Sequence, residues 1–532
     1  MKFRLPAIVA GLLLTPALFA AESPAGSWKL SIPRSNLTFL LRFEEKDGKW
    51  TSQYLGATVA ELAKLTMGET TITADSIRFS IKLPPGREFT FDGKLPPDAK
   101  TGRIHGSLQL GGNEMILVFL EPSKLKAFDK YALDKETIEQ STEADQLLQA
   151  ALELIQAAGE KQAKIEDVRG WADKAFRPAE VYGLRWQSSA ATQLAQALVA
   201  HKEFGPVAVE YARKAERLLD PGLDPNLQMS VLEAVSRILT QAGKADDARQ
   251  IDARLTKLEE RDYADYLKRR PFKSDTFAGR KGKSDRAVLV ELFTGAECPP
   301  CVAADVAFDA LESTYKRTEV ILLQYHVHIP GPDPLTNLDT MSRLHYYGRK
   351  IEGTPTILFN GKPGAPGGGG LPAARKKYAE YREVIEPLLE KDAEARLQVA
   401  ATRKDDTVDI KVNVADVART GDKIRLRLVL VEDTVRYQGG NNLKYHHFVV
   451  RSLPGGPLGV ALTKKSMDHS VSVKIDELRG KLSDYLTNFT KENEVEFSRP
   501  DRPMRLKKLR VVAMIQDDES NDILQAVQAE VK

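Results

Sequence analysis

One stretch near the middle of the chain constrains the fold more than any other: two cysteines three residues apart, directly after a buried strand. Residues 288–293 are apolar except for Glu291 and include the β-branched Val288 and Val290, which is typical of a buried strand. The cysteine motif is Cys298-Pro299-Pro300-Cys301, and a helix with a small or apolar face follows it. Prolines are tolerated in the first turn of a helix, where N–H groups lack helical partners. The helix dipole and the free N–H groups at that end favour a thiolate on Cys298.

A second strand follows further along the chain, at residues 353–361. Pro355 opens it, and the pair Asn360-Gly361 closes it with a tight turn. The order of strand, CxxC helix, strand, and Thr-Pro before a hydrophobic strand resembles the thioredoxin fold. In that family the proline is cis and faces the cysteine pair. The resemblance therefore assigns this catalytic position to Pro355, and pairing with the bound peptide to the backbone of Thr354.

The sequence departs from the thioredoxin pattern in two places. Glu297 stands where an aromatic residue usually precedes the first cysteine, and the turn is one residue longer. Glu291 lies near the family's buried acidic position, so the resemblance implies a role as proton relay. A surface glutamate at the end of a strand is the alternative interpretation. A CxxC motif alone also occurs in zinc sites, so its flanking strands carry the resemblance.

Length, charge and cysteine content bound the class of protein. A chain of 532 residues is too long for a single core and predicts several domains. A net charge of +3 gives no reason to expect a nucleic-acid partner. After the N-terminus the sequence contains no run of 18 apolar residues, so we expect no membrane span there. Both cysteines of the chain lie in the CxxC motif. A disulfide across so short a loop stabilises little, which indicates a chemical role for the pair.

The first 21 residues have the pattern of a cleaved signal peptide. Lys2 and Arg4 form a positive start, residues 5–19 are apolar, and small residues surround position 20. A membrane anchor is the alternative, but the apolar run is short and contains two prolines. We therefore expect the mature protein to be periplasmic or secreted.

We predict a multidomain α+β chain with four domains after the signal peptide. Residues 22–125 look all-β and faintly resemble a lipocalin-like barrel, which either binds a small apolar ligand or is filled and used for docking. Residues 126–270 look helical and resemble tetratricopeptide repeats or a plain stack of helical hairpins, with a possible peptide or protein ligand. Residues 271–391 form the thioredoxin-like domain, and residues 392–532 an antiparallel β-sandwich. The combination of these last two domains resembles a group of secreted bacterial thioredoxin-like proteins.

The strand predicted after the CxxC helix carries two histidines, His326 and His328. The carboxyl ends of parallel strands lie at one edge of a sheet, so these histidines are expected beside the cysteine pair. A proline-rich loop follows, and its restrained backbone suits partner binding. We predict that His328, Pro330 and Pro332 contact the substrate; the alternative is that the prolines only brace a long connection.

The favoured function is an extracytoplasmic thiol–disulfide oxidoreductase acting on protein thiols and disulfides together with a redox partner protein. Cys298 attacks a substrate disulfide as a thiolate, and Cys301 resolves the mixed disulfide, so no cofactor beyond the redox-active disulfide is expected. The first alternative is a metallochaperone in which Cys298, Cys301, His326 and His328 hold copper or zinc. The second is a non-enzymatic docking or assembly protein of the cell envelope.

Overall fold

The computed structural model describes residues 23–532, apart from positions 34, 36, 63, 85, 97–101, 112–113 and 500–501. The predicted signal peptide, residues 1–21, lies outside the described residues. Across these described ranges the chain is mixed α+β with eleven α-helices and several sheets, as the sequence predicts at the level of fold class. The chain divides into two compact units, residues 1–264 and 265–532.

The described part of the first unit begins with an eight-stranded antiparallel sheet that nearly closes on itself. Its strands are β1 (Gly26–Ser31), β2 (Thr38–Lys46), β3 (Lys49–Ala57), β4 (Thr66–Ile72), β5 (Ser76–Leu83), β6 (Arg87–Lys94), β7 (Ile104–Gly111) and β8 (Glu114–Ser123). Their order is β3-β2-β1-β8-β7-β6-β5-β4. The two edge strands approach each other, since the hydroxyl oxygens of Ser52 and Thr70 are 2.5 Å apart. The sheet is therefore barrel-like.

Large aromatic side chains occupy the described interior of this sheet. Trp28, Phe39, Phe43, Phe79 and Phe91 are all buried. The rings of Phe79 and Phe91 stack with their centroids 4.9 Å apart. Side chains of the protein thus fill the described core, while a ligand for this domain and its lipocalin resemblance stay predictions.

Seven helices follow in the segment that the sequence predicts to be helical. They are α1 (Lys130–Gln140), α2 (Ala144–Ala157), α3 (Ile165–Phe176), α4 (Leu184–Val199), α5 (Gly205–Arg217), α6 (Pro225–Gln241) and α7 (Ala245–Lys268). Small residues such as Ala195, Ala208 and Ala212 are fully buried, which lets the helices approach closely. Gly243 follows the C-cap of α6 and has a φ of +74°, a conformation that favours glycine. The tetratricopeptide resemblance stays a prediction.

The second unit is built on one sheet that joins strands from both halves of its sequence. Its strands, with those of a smaller sheet, are β9 (Val288–Thr294), β10 (Val320–His326), β11 (Thr356–Phe359), β12 (Lys362–Pro366), β13 (Arg396–Lys404), β14 (Thr407–Ala415), β15 (Gly421–Arg436), β16 (Tyr445–Ser452), β17 (Val460–Leu462), β18 (Met467–Lys474), β19 (Leu509–Asp517) and β20 (Ile523–Glu530). The large sheet has the order β12-β11-β9-β10-β16-β15-β19-β20, with β17 beside β15. Strands β9, β10 and β16 are parallel.

This arrangement differs from the two separate domains that the sequence predicts at 271–391 and 392–532. Strand β16 pairs directly with β10, so the C-terminal segment extends the sheet that carries the cysteine motif. The remaining strands β13, β14 and β18 form a three-stranded sheet whose apolar side chains pack with those of β15 and β19. A two-layered β structure is thus present, but one of its layers is the shared sheet.

Four helices complete the second unit: α8 (Val302–Thr314), α9 (Leu338–Tyr347), α10 (Ala374–Leu389) and α11 (Ile475–Asn493). Helices α8 and α9 pack on opposite faces of β9, because Thr294 contacts α8 and Glu291 contacts α9. Helix α10 lies beside α8, and the hydroxyl groups of Tyr378 and Thr314 are 2.6 Å apart. None of the helices in the described ranges is both long and apolar enough to cross a membrane.

Candidate functional site

The cysteine pair lies where the buried strand β9 turns into helix α8. Cys298 caps a short 3-10 helix, Pro299–Cys301, and α8 continues from it. Cys298 and Cys301 form a disulfide, with their Cα atoms 5.4 Å apart. The strand, the turn and the helix are therefore placed as the sequence predicts.

Both cysteines are buried in this disulfide form. Cys298 is 1% exposed and Cys301 is fully buried, whereas Pro299 and Pro300 between them are exposed. In the oxidised pair Cys298 is thus hardly more accessible than Cys301. Neighbouring loops cover its sulfur, and the prolines form the accessible surface of the motif.

Thr354 lies at the sulfur of Cys298, and Pro355 follows it in the chain. The peptide bond between them is cis. The carbonyl oxygen of Thr354 lies 3.9 Å from the sulfur of Cys298, and its hydroxyl oxygen lies 3.5 Å from the same sulfur. Among the described residues, Thr354 supplies the polar atoms recorded in contact with that sulfur.

A glycine-rich loop closes one side of the motif. Glycine-rich sequences are usually flexible. In the structure, however, the glycine-rich loop 367–370, which follows β12, is tied to the start of α8. The N–H of Gly369 donates to the carbonyl oxygen of Pro300 at 2.8 Å, and the N–H of Ala303 donates to the carbonyl oxygen of Gly369 at 2.9 Å. A side chain at position 367 would lie 2.6 Å from the carbonyl oxygen of Pro355, so this close approach requires glycine.

Backbone bonding around the motif leaves few free N–H groups for a thiolate. Pro299 and Pro300 have none. The N–H of Cys301 donates to the carbonyl oxygen of Cys298, and that of Val302 donates to Pro299. The expectation of free donors at this helix end is therefore wrong for residues 299–303, because prolines, the 3-10 turn and the glycine-rich loop remove or occupy them.

A chain of buried polar side chains runs behind the cysteine turn. On α8, Asp305 accepts hydrogen bonds from Thr294 at 3.1 Å and from the side-chain amide of Gln324 at 2.9 Å. Gln324 lies 3.2 Å from Nε2 of His326, whose Nδ1 lies 2.7 Å from a carboxylate oxygen of Asp333. All five side chains are buried. The chain connects the core of the sheet to the loop that follows β10.

Two aspartates among these hydrogen-bonded side chains have pKa values that are shifted in opposite directions. Burial raises the pKa of Asp305 well above its ordinary value, and nearby Asp309 and Asp333 raise it further. Burial also acts to raise the pKa of Asp333, but the His326 charge and hydrogen bonds outweigh it, so that pKa is lowered. Among those bonds is the N–H of Ala296, which donates to Asp333 at 2.6 Å. Asp305 is thus the buried acid able to hold a proton.

Glu291 lies away from the cysteine pair. It is fully buried on the face of the sheet opposite α8, where Nε of Arg343 donates to its carboxylate at 2.9 Å and the Tyr347 hydroxyl also donates. Alternate residues of a strand face opposite sides, and Glu291 has the opposite parity to Thr294. The structure therefore pairs Glu291 with Arg343, and the proton relay predicted there does not fit this placement.

The two histidines are separated by their partners. His326 ends β10 inside the buried polar chain, whereas His328 stacks on Phe489 of α11 with ring centroids 3.6 Å apart. Nδ1 of His328 accepts the N–H of Asp333 at 3.0 Å, and burial lowers the pKa of His328 to about 4. Within the described ranges, no group of three or more His, Cys, Asp or Glu side chains is placed to hold a metal ion. The set Cys298, Cys301, His326 and His328 is therefore not gathered into a metal site.

Only the start of the proline-rich loop is accessible beside the disulfide. Ile329 and Pro330 are exposed, and the Thr354 hydroxyl lies 3.3 Å from the carbonyl oxygen of Ile329. Pro332 is half-buried, and the loop from Asp333 onward is buried. The predicted loop thus lies beside the cysteine motif, and its accessible apolar part is residues 329–330.

A loop of the C-terminal segment covers the turn before Cys298. The carboxylate of Glu297 accepts the N–H of Gly440 at 2.8 Å and the hydroxyl of Ser498 at 2.7 Å. The N–H of Asn441 donates to the carbonyl oxygen of Ala296 at 2.9 Å. Residues 296–297 are therefore held by two loops, one 143 residues and the other 201 residues further along the chain than Glu297.

Comparison with known proteins adds little to this geometry. No protein-family model matches the sequence, and no curated protein matches it. A solved structure, HBP35 of Porphyromonas gingivalis, is 16% identical over 47% of this chain and 77% of its own chain, with a TM-score of 0.32. A likeness at this level carries no argument about fold or function, so the proposals below rest on the site.

Sequence reasoning missed four residues of this site, and two of them had a signal. Asp305 and Asp333 are charged residues next to strongly apolar segments, and a buried carboxylate needs hydrogen-bond partners. In the sequence, Glu297 stands out only as a departure from the thioredoxin pattern. Gly369 gave no local signal, because glycine-rich sequences are usually mobile.

Proposed function

We propose that this protein is a thiol–disulfide oxidoreductase with a thioredoxin-like domain, acting on protein thiols and disulfides. The observation that carries the proposal is the disulfide at the start of α8 with Thr354 at the sulfur of Cys298. A disulfide across such a short loop contributes little stability, so its retention is best explained by chemistry. The parallel pairing of β9 with β10 and the antiparallel pairing of β9 with β11 support the thioredoxin-like assignment.

The reaction requires only the two cysteines and a proton acceptor. In the reduced protein, the Cys298 thiolate attacks one sulfur of a substrate disulfide, forming a mixed disulfide and releasing one substrate thiolate. The Cys301 thiolate then attacks the sulfur of Cys298, which forms the internal disulfide and releases the second substrate thiolate. Two electrons pass to the substrate, and its two thiolates take up the two protons that the cysteines have lost.

The Cys301 proton has a buried acceptor nearby. Asp305 lies four residues after Cys301 on α8, one helical turn along the same face. Its raised pKa makes the Asp305 carboxylate a stronger base toward the Cys301 thiol than an ordinary aspartate. We assign this role to Asp305 rather than to Glu291, whose carboxylate is paired with Arg343.

Residues 329–330 and Thr354 would bind the substrate chain. Ile329 and Pro330 present apolar surface, and Thr354 presents backbone groups at the edge of the disulfide. These groups suit an extended peptide next to a cysteine, which pairs through its backbone and packs apolar side chains on the loop.

The reaction belongs outside the cytoplasm under this proposal. The support is the signal-like sequence of residues 1–21. Sequencing the N-terminus of the protein isolated from its native host tests the location, since cleavage near residue 21 is expected.

The direct test of function is turnover of a protein disulfide. Wild type should catalyse reduction of the disulfide by a dithiol donor, while the Cys298→Ala variant should be inactive. The variant His469→Gln, at a half-buried position on β18 of the smaller sheet, should retain full activity. Activity unchanged in Cys298→Ala would rule out the proposed chemistry. Activity lacking in wild type with a range of protein disulfides would also contradict the proposal.

A further inference from the structure

The surroundings of Cys298 disfavour a thiolate, and this has a consequence for the direction of electron flow. Cys298 is 1% exposed, so a charge on its sulfur would be largely removed from water. Among the described residues the donor recorded at the sulfur is the Thr354 hydroxyl, at 3.5 Å. That hydroxyl also lies 3.3 Å from the carbonyl oxygen of Ile329, and its single hydrogen cannot serve both.

The positive partial charge at the helix end beside Cys298 is largely cancelled by carbonyl groups. At the start of a helix, unpaired N–H groups carry the positive end of the dipole and stabilise an anion. Here residues 299 and 300 are prolines, and the N–H groups of residues 301–303 already have carbonyl acceptors. One acceptor, the carbonyl of Gly369, comes from outside the helix and brings a negative partial charge to this end.

A full negative charge also precedes Cys298 in the chain. The carboxylate of Glu297 is bound by neutral donors, the N–H of Gly440 and the hydroxyls of Ser498 and Tyr437, which lie 2.8, 2.7 and 3.4 Å away. Neutral donors hold the carboxylate in place but do not cancel its charge. A like charge nearby disfavours a thiolate on Cys298.

We propose that the motif is set to reduce substrate disulfides, with Glu297 and Gly369 of the glycine-rich loop as the positioning elements that set its potential. A dithiol with a stabilised thiolate is an oxidant, since its reduced form is favoured. A destabilised thiolate has the opposite effect and favours the disulfide, so the dithiol gives up its electrons readily. The proposal rests on the oxidoreductase function above and adds its direction.

The reductive cycle requires a source of electrons. After each turnover the protein holds the Cys298–Cys301 disulfide, and two electrons with two protons must return to it. A dithiol donor supplies them by the same exchange, becoming a disulfide itself. The reaction that precedes this one is therefore reduction of the motif by a strongly reducing dithiol, and the reaction that it performs delivers free thiols on the substrate.

The test is an equilibrium measurement that needs no substrate turnover. Reduced protein is mixed with an equimolar amount of oxidised thioredoxin as the reference, and the thiols of each are counted by alkylation and mass spectrometry. At equilibrium, at least half of the wild-type protein should hold the Cys298–Cys301 disulfide. A wild-type pair that remains mostly reduced while the reference stays oxidised would overturn the proposal.

Variants assign the effect to its source. Glu297→Gln keeps the hydrogen-bond acceptor for Gly440 and removes the charge, so it should shift the equilibrium toward the dithiol by at least threefold, or about 14 mV. Gly369→Ala places a methyl group 3.2 Å from the Cβ of Ala303 at a φ of +151°, which should displace the loop and shift the equilibrium the same way. Gly368→Ala is the matched control, because a Cβ there meets nothing within 4 Å.

The outcomes separate this proposal from the function itself. An unchanged equilibrium in Glu297→Gln, which needs no backbone change, contradicts the role of its charge even if the loop variant fails to fold. A reducing equilibrium without turnover of protein disulfides supports the potential and contradicts the function. Turnover with an oxidising equilibrium supports the function and contradicts the proposed direction.

Discussion

Nδ1 of His326 lies 2.7 Å from a carboxylate oxygen of Asp333, and neither side chain reaches solvent. The same carboxylate oxygen accepts the N–H of Ala296, two residues before Cys298. Its second oxygen accepts the N–H of Leu335 at 2.7 Å. One buried aspartate thus joins the end of β10, the loop after it and the turn that carries the cysteine pair.

Replacing Asp333 should therefore destabilise the second unit. Asp333→Asn removes the carboxylate that pairs with His326. It also places the amide N–H of the new side chain against a backbone N–H, of either Ala296 or Leu335. We expect a loss of about 3 kcal/mol in the free energy of unfolding, the usual cost of breaking a buried pair. Urea denaturation followed by circular dichroism measures it, with exposed Asp484→Asn on α11 as the control. Equal midpoints in the two variants would contradict this role of Asp333.

Two buried acids can be distinguished by their effects on rate and stability. Asp305→Asn should slow resolution of the mixed disulfide by on the order of 100-fold, because a proton acceptor is lost. It should also flatten the dependence of that rate on pH. Glu291→Gln should leave the pH profile unchanged while lowering stability by about 3 kcal/mol, since it leaves Arg343 without its ion pair. Stopped-flow quenching with thiol alkylation measures the rates, and a flattened profile in Glu291→Gln alone would reverse the assignment.

Acid should destabilise the second unit through His446. Burial, with the neighbouring His326, lowers the pKa of His446 to about 3. The unfolded chain takes up a proton at this position below pH 6.5, whereas the folded protein takes it up only near pH 3. The contribution of His446 to the free energy of unfolding is thus fully present above pH 6.5. It falls as the pH decreases, by on the order of 3 kcal/mol at pH 4.

Thermal melts from pH 7 to pH 4 test this contribution. His446→Gln should lower the melting temperature at pH 7 and make its pH dependence shallower than that of wild type. His469→Gln, on the smaller sheet, should keep the wild-type slope. An identical slope in wild type and His446→Gln would show that other groups control the acid response.

The accessible start of the proline-rich loop should contribute to substrate choice. Ile329 is 38% exposed and its carbonyl contacts Thr354, so Ile329→Ser removes apolar surface next to the disulfide. We expect kcat/KM for a protein disulfide to fall roughly fivefold, the equivalent of about 1 kcal/mol, and that for a small aromatic disulfide to stay unchanged. Leu458→Ser removes a more exposed apolar side chain of the same unit as a control. Equal losses on both substrates would mean that the loop is only structural.

The sequence was sufficient to predict which local segments meet at the site. Parallel strands with a helix between them bring their carboxyl ends together, which placed the loop after β10 beside Cys298. The Thr-Pro pair before β11 was placed at the sulfur by resemblance. These predictions depend on short stretches whose geometry is strongly restricted.

Long-range pairing could not be predicted in the same way. Strand β16 completes the parallel part of the sheet from a position about 120 residues after β10, and local sequence does not specify a partner. All eight residues Tyr445–Ser452 are buried, but the segment contains two histidines, an arginine and a serine and so lacks the continuous apolar run typical of an inner strand. Glu291 was misplaced because the irregular turn at 295–297 hides which face of β9 points toward the cysteines.

The most direct test of the central claim is to trap the mixed disulfide and identify its cysteine. The reduced Cys301→Ser variant, which lacks the resolving thiol, is mixed with a protein disulfide, quenched with acid and digested for mass spectrometry. We expect a stable adduct linked through Cys298, and no adduct with Cys298→Ser under the same conditions. Failure of Cys301→Ser to form an adduct, or a predominant adduct through Cys301 in Cys298→Ser, would contradict the account.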